Sequence, residues 1–219
     1  MQKLSFIAKL YIAAVVLAGM AVLAGELLHW RSTKPAEFLV LLLMTLVASS
    51  LRIKLPRMNG VMSVNLPFLL IVAIRLAGSG SFVVATLAGL VQSIPTSGKR
   101  TTPVQVLFNS ATIANAVAAT SFVFSFAAQH GLVLPLSVAA AGLTYFVSNT
   151  LPIALVLWLA EGESVWKMWK RMAHLSTPYY TLSAGIAAII CEATQFAVWA
   201  ESLALLPLWG VLLDQLWLR

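Results

Sequence analysis

Charged and amide side chains set inside apolar stretches are where this sequence has chemistry to offer. Arg75 lies late in one such stretch, and Glu192, followed by Thr194 and Gln195, lies late in another. In hydrocarbon a charge costs several kcal/mol unless it is paired or hydrated, so these residues are default candidates for a site. An Arg75–Glu192 ion pair, or both facing one cavity, is the economical arrangement, and a cavity of that kind would take a polar or anionic ligand. The competing reading is a buried pair that only fixes helix packing, or Arg75 reaching out to the headgroups. A second set consists of amides nearer the opposite face: Asn65, Gln92, Gln105, Asn109 and Asn149, with Asn115 between the two sets. Amides hydrogen-bond across helices in lipid, which favours an interhelical clasp over the polar floor of a binding cavity.

Catalytic patterns are missing from the sequence. His29, His130 and His174 are too far apart along the chain and in expected depth to form a metal trio, and they suit interfacial positions. There is no His-x-x-x-His, paired-carboxylate, Gly-x-Ser-x-Gly or phosphate-loop pattern. Glu161 and Glu163 stand beside a basic amphipathic stretch, where charge balance accounts for them. Cys191 is the one cysteine, so no disulfide framework or cysteine metal site is possible within the sequence. The expectation is a non-enzymatic protein with no cofactor.

The elements that would position these residues are membrane helices. Hydrophobic residues make up 60% of the 219 and charged residues 10%, against about 25% charged in a soluble domain. The apolar residues gather in runs of roughly 16 to 25, the length needed to cross about 30 Å of hydrocarbon. Trp residues cluster near the ends of the runs, as interfacial anchors do. The runs predict spans at about Phe6 to Leu28, Glu37 to Ile53, Val64 to Ala77, Ser81 to Ile94, Val104 to Ala128, Leu136 to Ala160, Tyr179 to Trp199 and Ser202 to Trp217. The last is short and interrupted by Pro207, so the count is seven or eight. Val22-Leu23-Ala24 could pass for a cleavage site, but the first apolar stretch is long for a signal peptide and is read as a retained helix. The third and fourth spans are short and joined by Gly78-Ser79-Gly80, a form tolerated only where protein covers it or a cavity borders it. Residues 55–65, with Pro56 and Asn59-Gly60, predict a non-helical connector. Glu161 to Ser176 predicts an amphipathic helix on the bilayer surface.

Positive charge alternates between the gaps. Lys3 and Lys9; Arg52, Lys54 and Arg57; Lys99 and Arg100; Lys167, Lys170 and Arg171; and Arg219 occupy every second gap, and Arg31, Lys34 and Arg75 are the exceptions. Such retention of positive charge predicts a polytopic membrane protein with both termini cytoplasmic. The net charge of +7 is explained by insertion and by anionic lipid, so membrane lipid and not nucleic acid is the expected partner.

Several stretches carry a family resemblance. Leu55-Pro56, Asn59-Gly60, Met62-Ser63-Val64-Asn65, Val91-Gln92 and Pro103-Val104-Gln105-Val106-Leu107-Phe108-Asn109 resemble the polytopic N-terminal membrane module of bacterial cyclic-di-GMP enzymes of the GGDEF and HD-GYP types, acidobacterial examples above all. The resemblance continues through Tyr145-Phe146-Val147-Ser148-Asn149-Thr150-Leu151-Pro152 and Pro178-Tyr179-Tyr180. It implies a sensory module ahead of a cytoplasmic output domain. The sequence up to Arg219 holds no GGDEF or HD-GYP segment, so cyclic-di-GMP chemistry is not carried over. The central hairpin is also similar in topology to the substrate-binding S components of energy-coupling-factor transporters. Together these imply an all-α membrane bundle that binds a small or lipidic molecule between helices three to seven and signals to a cytoplasmic partner. The alternatives are a substrate-capture subunit of a transporter, or an accessory subunit of a membrane complex.

Overall fold

The computed structural model describes residues 5–29, 35–54, 61–78, 80–94, 101–162 and 164–193. Seven helices are present among them: α1 (Phe6–Leu28), α2 (Pro35–Ser50), α3 (Leu66–Arg75), α4 (Ser81–Ser93), α5 (Pro103–Gln129), α6 (Leu134–Glu161) and α7 (Val165–Ala193). Two three-residue strands, β1 (Arg52–Lys54) and β2 (Val61–Ser63), pair antiparallel between α2 and α3, with Arg52 opposite Ser63. The expected eighth span, 202–217, and the end of the seventh lie outside the described residues, as does Gln195.

Local chemistry sets most of the helix boundaries. Ser5 caps α1 by accepting from the Ala8 N–H at 3.1 Å. Thr102 and Gln105 close a reciprocal capping box at the start of α5, with Pro103 in its first turn, which satisfies two N–H groups that a helix start leaves open. The α5 and α6 helices end near glycines with positive φ, Gly131 at 78° and Gly162 at 75°. The expected second span ran to Ile53, but α2 stops at Ser50. The Ser63 hydroxyl takes up the end of α2, donating to the Ser49 carbonyl at 2.7 Å, and the chain turns into the β1–β2 ladder. The connector expected at 55–65 therefore ends in a strand whose partner lies at the end of the second span.

The main correction concerns α7. The surface helix expected at Glu161 to Ser176 and the seventh span expected from Tyr179 are one helix, Val165–Ala193, with Pro178 inside it. Pro178 removes a single N–H, and no glycine stands between Val165 and Pro178 to break the helix. Hydroxyls line the same turns: Ser176 and Thr177 donate to the Met172 and Ala173 carbonyls, each at 2.7 Å. Contacts on both sides of the proline also hold it, since Trp169 and Tyr179 each bond to neighbouring elements.

Packing is organised around α3 and α5. Residues Leu66 to Ala73 of α3 are all buried, as expected of a short helix that is apolar all round. It sits among α2, α4, α5 and α7. The longer α5 touches α1, α3, α4 and α6 and meets two of them through small residues. A Cβ on Gly19 of α1 would fall 2.8 Å from Ala111 Cβ, and one on Gly89 of α4 would fall 2.6 Å from Ser110 Cα. Close backbone approach through small residues is how helices associate where solvent gives no hydrophobic drive. Among the described residues three helices, Phe6–Leu28, Pro103–Gln129 and Leu134–Ala160, are long and apolar enough to cross a membrane, while α2, α3 and α4 are shorter apolar helices. The exposed surface of α1 agrees with that, presenting Phe6, Ile7, Leu10, Leu17 and Met20 outward.

Because the Gly89 contact is to backbone, Gly89→Ala should force α4 and α5 apart and cost about 1–3 kcal/mol. Gly25→Ala, where nothing lies within 4 Å, should be neutral. Thermal unfolding of both variants in mild detergent reads the difference.

Candidate functional site

Glu26, two residues from the end of α1, is only 6% exposed. Its carboxylate lies across the first turn of α4: Oε1 accepts from the Gly80 N–H at 2.9 Å and from the Ser81 hydroxyl at 3.3 Å, and Oε2 accepts from the Phe82 and Val83 N–H groups at 2.9 and 3.1 Å. Gly80 stands at φ 113°, a value that suits glycine and lets the chain enter α4 directly from the turn after α3. Its lack of a side chain leaves the cap position without an acceptor of its own, and Glu26 supplies one from another helix. The free N–H groups and the positive end of the α4 dipole stabilise the charge. Sequence reasoning passed over Glu26. Two signals were present: a carboxylate near the end of an apolar stretch, and a Gly-Ser-Gly-Ser break whose following helix needs an acceptor.

Arg75 closes α3 at the same end of the bundle. Its Nε donates to Glu37 Oε1 in the first turn of α2, and both side chains are largely covered. The expected Arg75–Glu192 pair is thus corrected: the partner is Glu37, and Glu192 is exposed near the end of α7. The physical reason lies in helix direction. Arg75 is in the last turn of α3 and Glu37 in the first turn of α2, so each charge also complements its own helix dipole. Asn115 donates to the Val15 carbonyl at 3.1 Å, joining α5 to α1.

The opposite end of α3 carries a polar cluster. Asn65 Nδ2 donates to Ser49 Oγ at 2.9 Å and to Gln92 Oε1 at 3.2 Å, joining α2, α3 and α4. The Tyr179 hydroxyl of α7 accepts from the Leu66 N–H at 3.2 Å and donates to the Ser63 carbonyl at 2.8 Å, so the start of α3 is held by α7. The adjacent ring, Tyr180, packs edge-on to Phe146 at 4.9 Å, and its hydroxyl accepts from Asn149 Nδ2 at 2.8 Å. Of the second amide set, the structure brings Asn65 and Gln92 together and links Asn149 to the neighbouring tyrosine. It does not bring in Gln105, which serves the α5 cap, or Asn109, which is exposed. Within the cluster the amides act as clasps between helices.

Beside Tyr180 the α6 and α7 helices part to leave a groove of about 600 Å³. Its walls are apolar, formed by Val138, Leu143, Phe146, Ala184 and Ala188 among others, with Thr177, Tyr180 and Thr181 as its polar members. Gly142 and Ala184 form the close point between the two helices. Asn149 donates to the Tyr180 hydroxyl, whose own proton has no acceptor among the described residues. Among the described residues no three His, Cys, Asp or Glu side chains gather to hold a metal. His29 and His130 each donate from Nδ1 to the carbonyl four residues back, Gly25 at 2.9 Å and Phe126 at 2.8 Å, closing the ends of α1 and α5. Comparison of the chain with protein-family models, with curated proteins and with solved structures gives no match.

The arrangement has measurable consequences at the two carboxylates. Glu26→Gln puts an amide N–H against backbone donors, and Glu26→Ala leaves several buried donors open. Both should destabilise, the alanine by at least about 2 kcal/mol, with unfolding temperature as the readout. Acetate should partly restore Glu26→Ala if the space admits it. For the ion pair, Arg75→Met should cost more alone than together with Glu37→Leu, since the single change keeps a largely covered carboxylate and removes its guanidinium. A double-mutant cycle reads that coupling.

Proposed function

We propose that this chain is a non-enzymatic, polytopic membrane module that binds a lipidic small molecule in the α6–α7 groove and passes its occupancy along α7 to a cytoplasmic partner. The observation that carries the reading is the groove itself. Its volume of about 600 Å³ falls within the range of ligand sites, roughly 300–1,000 Å³. Its apolar walls suit an acyl or isoprenoid chain, and the Tyr180 O–H suits an ester, acid or quinone oxygen. Asn149 is the sequence candidate that acts here, by orienting that hydroxyl. Arg75, Asn65, Gln92 and Asn115 are assigned to holding the bundle together.

In this reading α1, α5 and α6 cross a bacterial inner membrane fully. The apolar half of α7 crosses as well, and α2 to α4 are shorter segments packed within, in keeping with seven or eight segments and cytoplasmic termini. The continuity of α7 supports signalling, because one helix carries both the groove wall and the basic segment around Lys170. The α3–α4 pair with its glycine turn favours a second reading, a substrate-capture subunit of a transporter. That subunit would copurify with an ATPase and release its substrate inward.

Native mass spectrometry on protein purified in mild detergent should release an apolar molecule of reproducible mass on gentle activation. Thr181→Trp, a filling change at an exposed position in the groove, should abolish that peak while leaving the unfolding temperature nearly unchanged. An empty wild-type chain carrying only a protein partner would instead indicate an accessory subunit.

A further inference from the structure

The first half of α7 carries a charged face that the groove does not use. Lys167, Lys170, Arg171 and His174 follow one another at helical spacing and fall within about 100° of arc on one side of the helix. All four are exposed, and none forms an ion pair among the described residues. The opposite side of the same turns is engaged with the bundle. Trp169 Nε1 donates to Thr150 Oγ1 at 3.0 Å and its ring packs near Phe146, while Ser176 is buried. The stripe therefore faces outward by construction, at a fixed rotation of α7.

Helix length sets its depth. The α6 helix has 28 residues and α7 has 29, or about 42 and 43 Å at 1.5 Å per residue. Hydrocarbon takes about 30 Å of this and the headgroup layers extend the bilayer to about 40–45 Å. Of the two, α6 stays apolar through Ala160, whereas α7 carries its basic residues in the turns after the joint and is apolar from Tyr179, so the joined end is the one that meets the headgroups. Two exposed indoles flank that joint, Trp158 at 43% and Trp166 at 64%, the residue type that settles at the membrane–water boundary. Lys167, Lys170 and Arg171 then stand upright through the headgroup layer, at the level of lipid phosphates.

We propose that this outward stripe of α7 is a binding surface for anionic phospholipid headgroups, with Lys167, Lys170 and Arg171 as the phosphate-binding side chains and Trp166 packed against the glycerol region. The arginine offers a forked pair of donors to phosphate and the lysines offer point charges. Such contacts fix the height of α7 in the bilayer, and so the height of the groove above it. The surface is distinct from the groove, and its ligand is a bilayer lipid rather than the molecule held between α6 and α7.

The test uses the full chain in lipid nanodiscs of phosphatidylcholine with or without phosphatidylglycerol, followed by detergent release and native mass spectrometry of retained lipid. Wild type should retain phosphatidylglycerol over phosphatidylcholine by about tenfold or more, and added salt during release should reduce that preference. The triple change Lys167→Gln, Lys170→Gln, Arg171→Gln should bring it to parity, while Lys167→Arg with Lys170→Arg, which keeps every charge, should preserve it. A wild-type preference that is absent or indifferent to salt overturns the proposal, as does a triple variant that keeps the preference. Competition by free glycerol phosphate at the strength of the lipid also overturns it, since the ligand would then be a soluble phosphate. So does a triple variant that keeps its lipid and loses a soluble protein, since the stripe would then be a protein-docking surface.

Discussion

The ends of α3 and α4 must find hydrogen-bond partners inside the bundle, and the rest of the structure is arranged to supply them. Both helices are short and packed among the others, and each unsatisfied N–H or carbonyl buried there costs several kcal/mol. The turn between them is served by the Glu26 carboxylate of α1, which accepts from three backbone N–H groups and a hydroxyl. The start of α3 is served by the Tyr179 hydroxyl of α7. Two outer helices thus hold the inner pair by polar contacts at opposite ends. The order of the bundle follows: α1 must lie beside α4, and α7 beside α3.

Between those clamps, α5 works as a spine of small residues. Ala111 and Ser110 let α1 and α4 approach closely at Gly19 and Gly89. Farther along the helix, the Ser121 hydroxyl donates to the Ala73 carbonyl of α3 at 2.8 Å. Small residues give up side-chain volume for backbone contact, so the gain is dispersion over a long, well-matched seam. The α6–α7 pair is built differently. It meets at Gly142 and Ala184 on one side and at the aromatic cluster of Tyr145, Phe146, Trp169 and Tyr180 on the other. Bulky rings beside a small-residue contact cannot seat two straight helices evenly along their length, and the groove lies next to that cluster.

The α7 helix joins these features. Tyr179 holds α3, Tyr180 lines the groove and is oriented by Asn149, and the turns before Pro178 carry the outward cations. A rotation or shift of this one helix would change all three together. That coupling is geometric: the three features share one helix, with Pro178 standing between the cations and the two tyrosines.

Much of this was legible in the residues. Helix positions followed from apolar runs, because helical length and hydrophobicity are local properties that the backbone obeys wherever the runs are placed. The break at Gly78 to Gly80 and the clasping of helices by amides, seen at Asn65 and Gln92, were readable for the same reason: turn chemistry acts over a few residues, and buried amides seek partners. Tertiary structure alone decided who pairs with whom. Arg75 pairs with Glu37 because α2 and α3 run antiparallel with their charged ends adjacent, and nothing in the spacing of Arg75, Glu37 and Glu192 distinguishes the two carboxylates. Glu26 became an acceptor only once α4 came to rest beside the end of α1. The fusion of the basic stretch with the seventh span likewise depended on contacts at Thr150, Ser63 and Asn149 that hold the helix on both sides of Pro178. Local sequence sets which segments are helical, whereas the partners of buried charges and hydroxyls are set by proximity that arises only when distant segments pack.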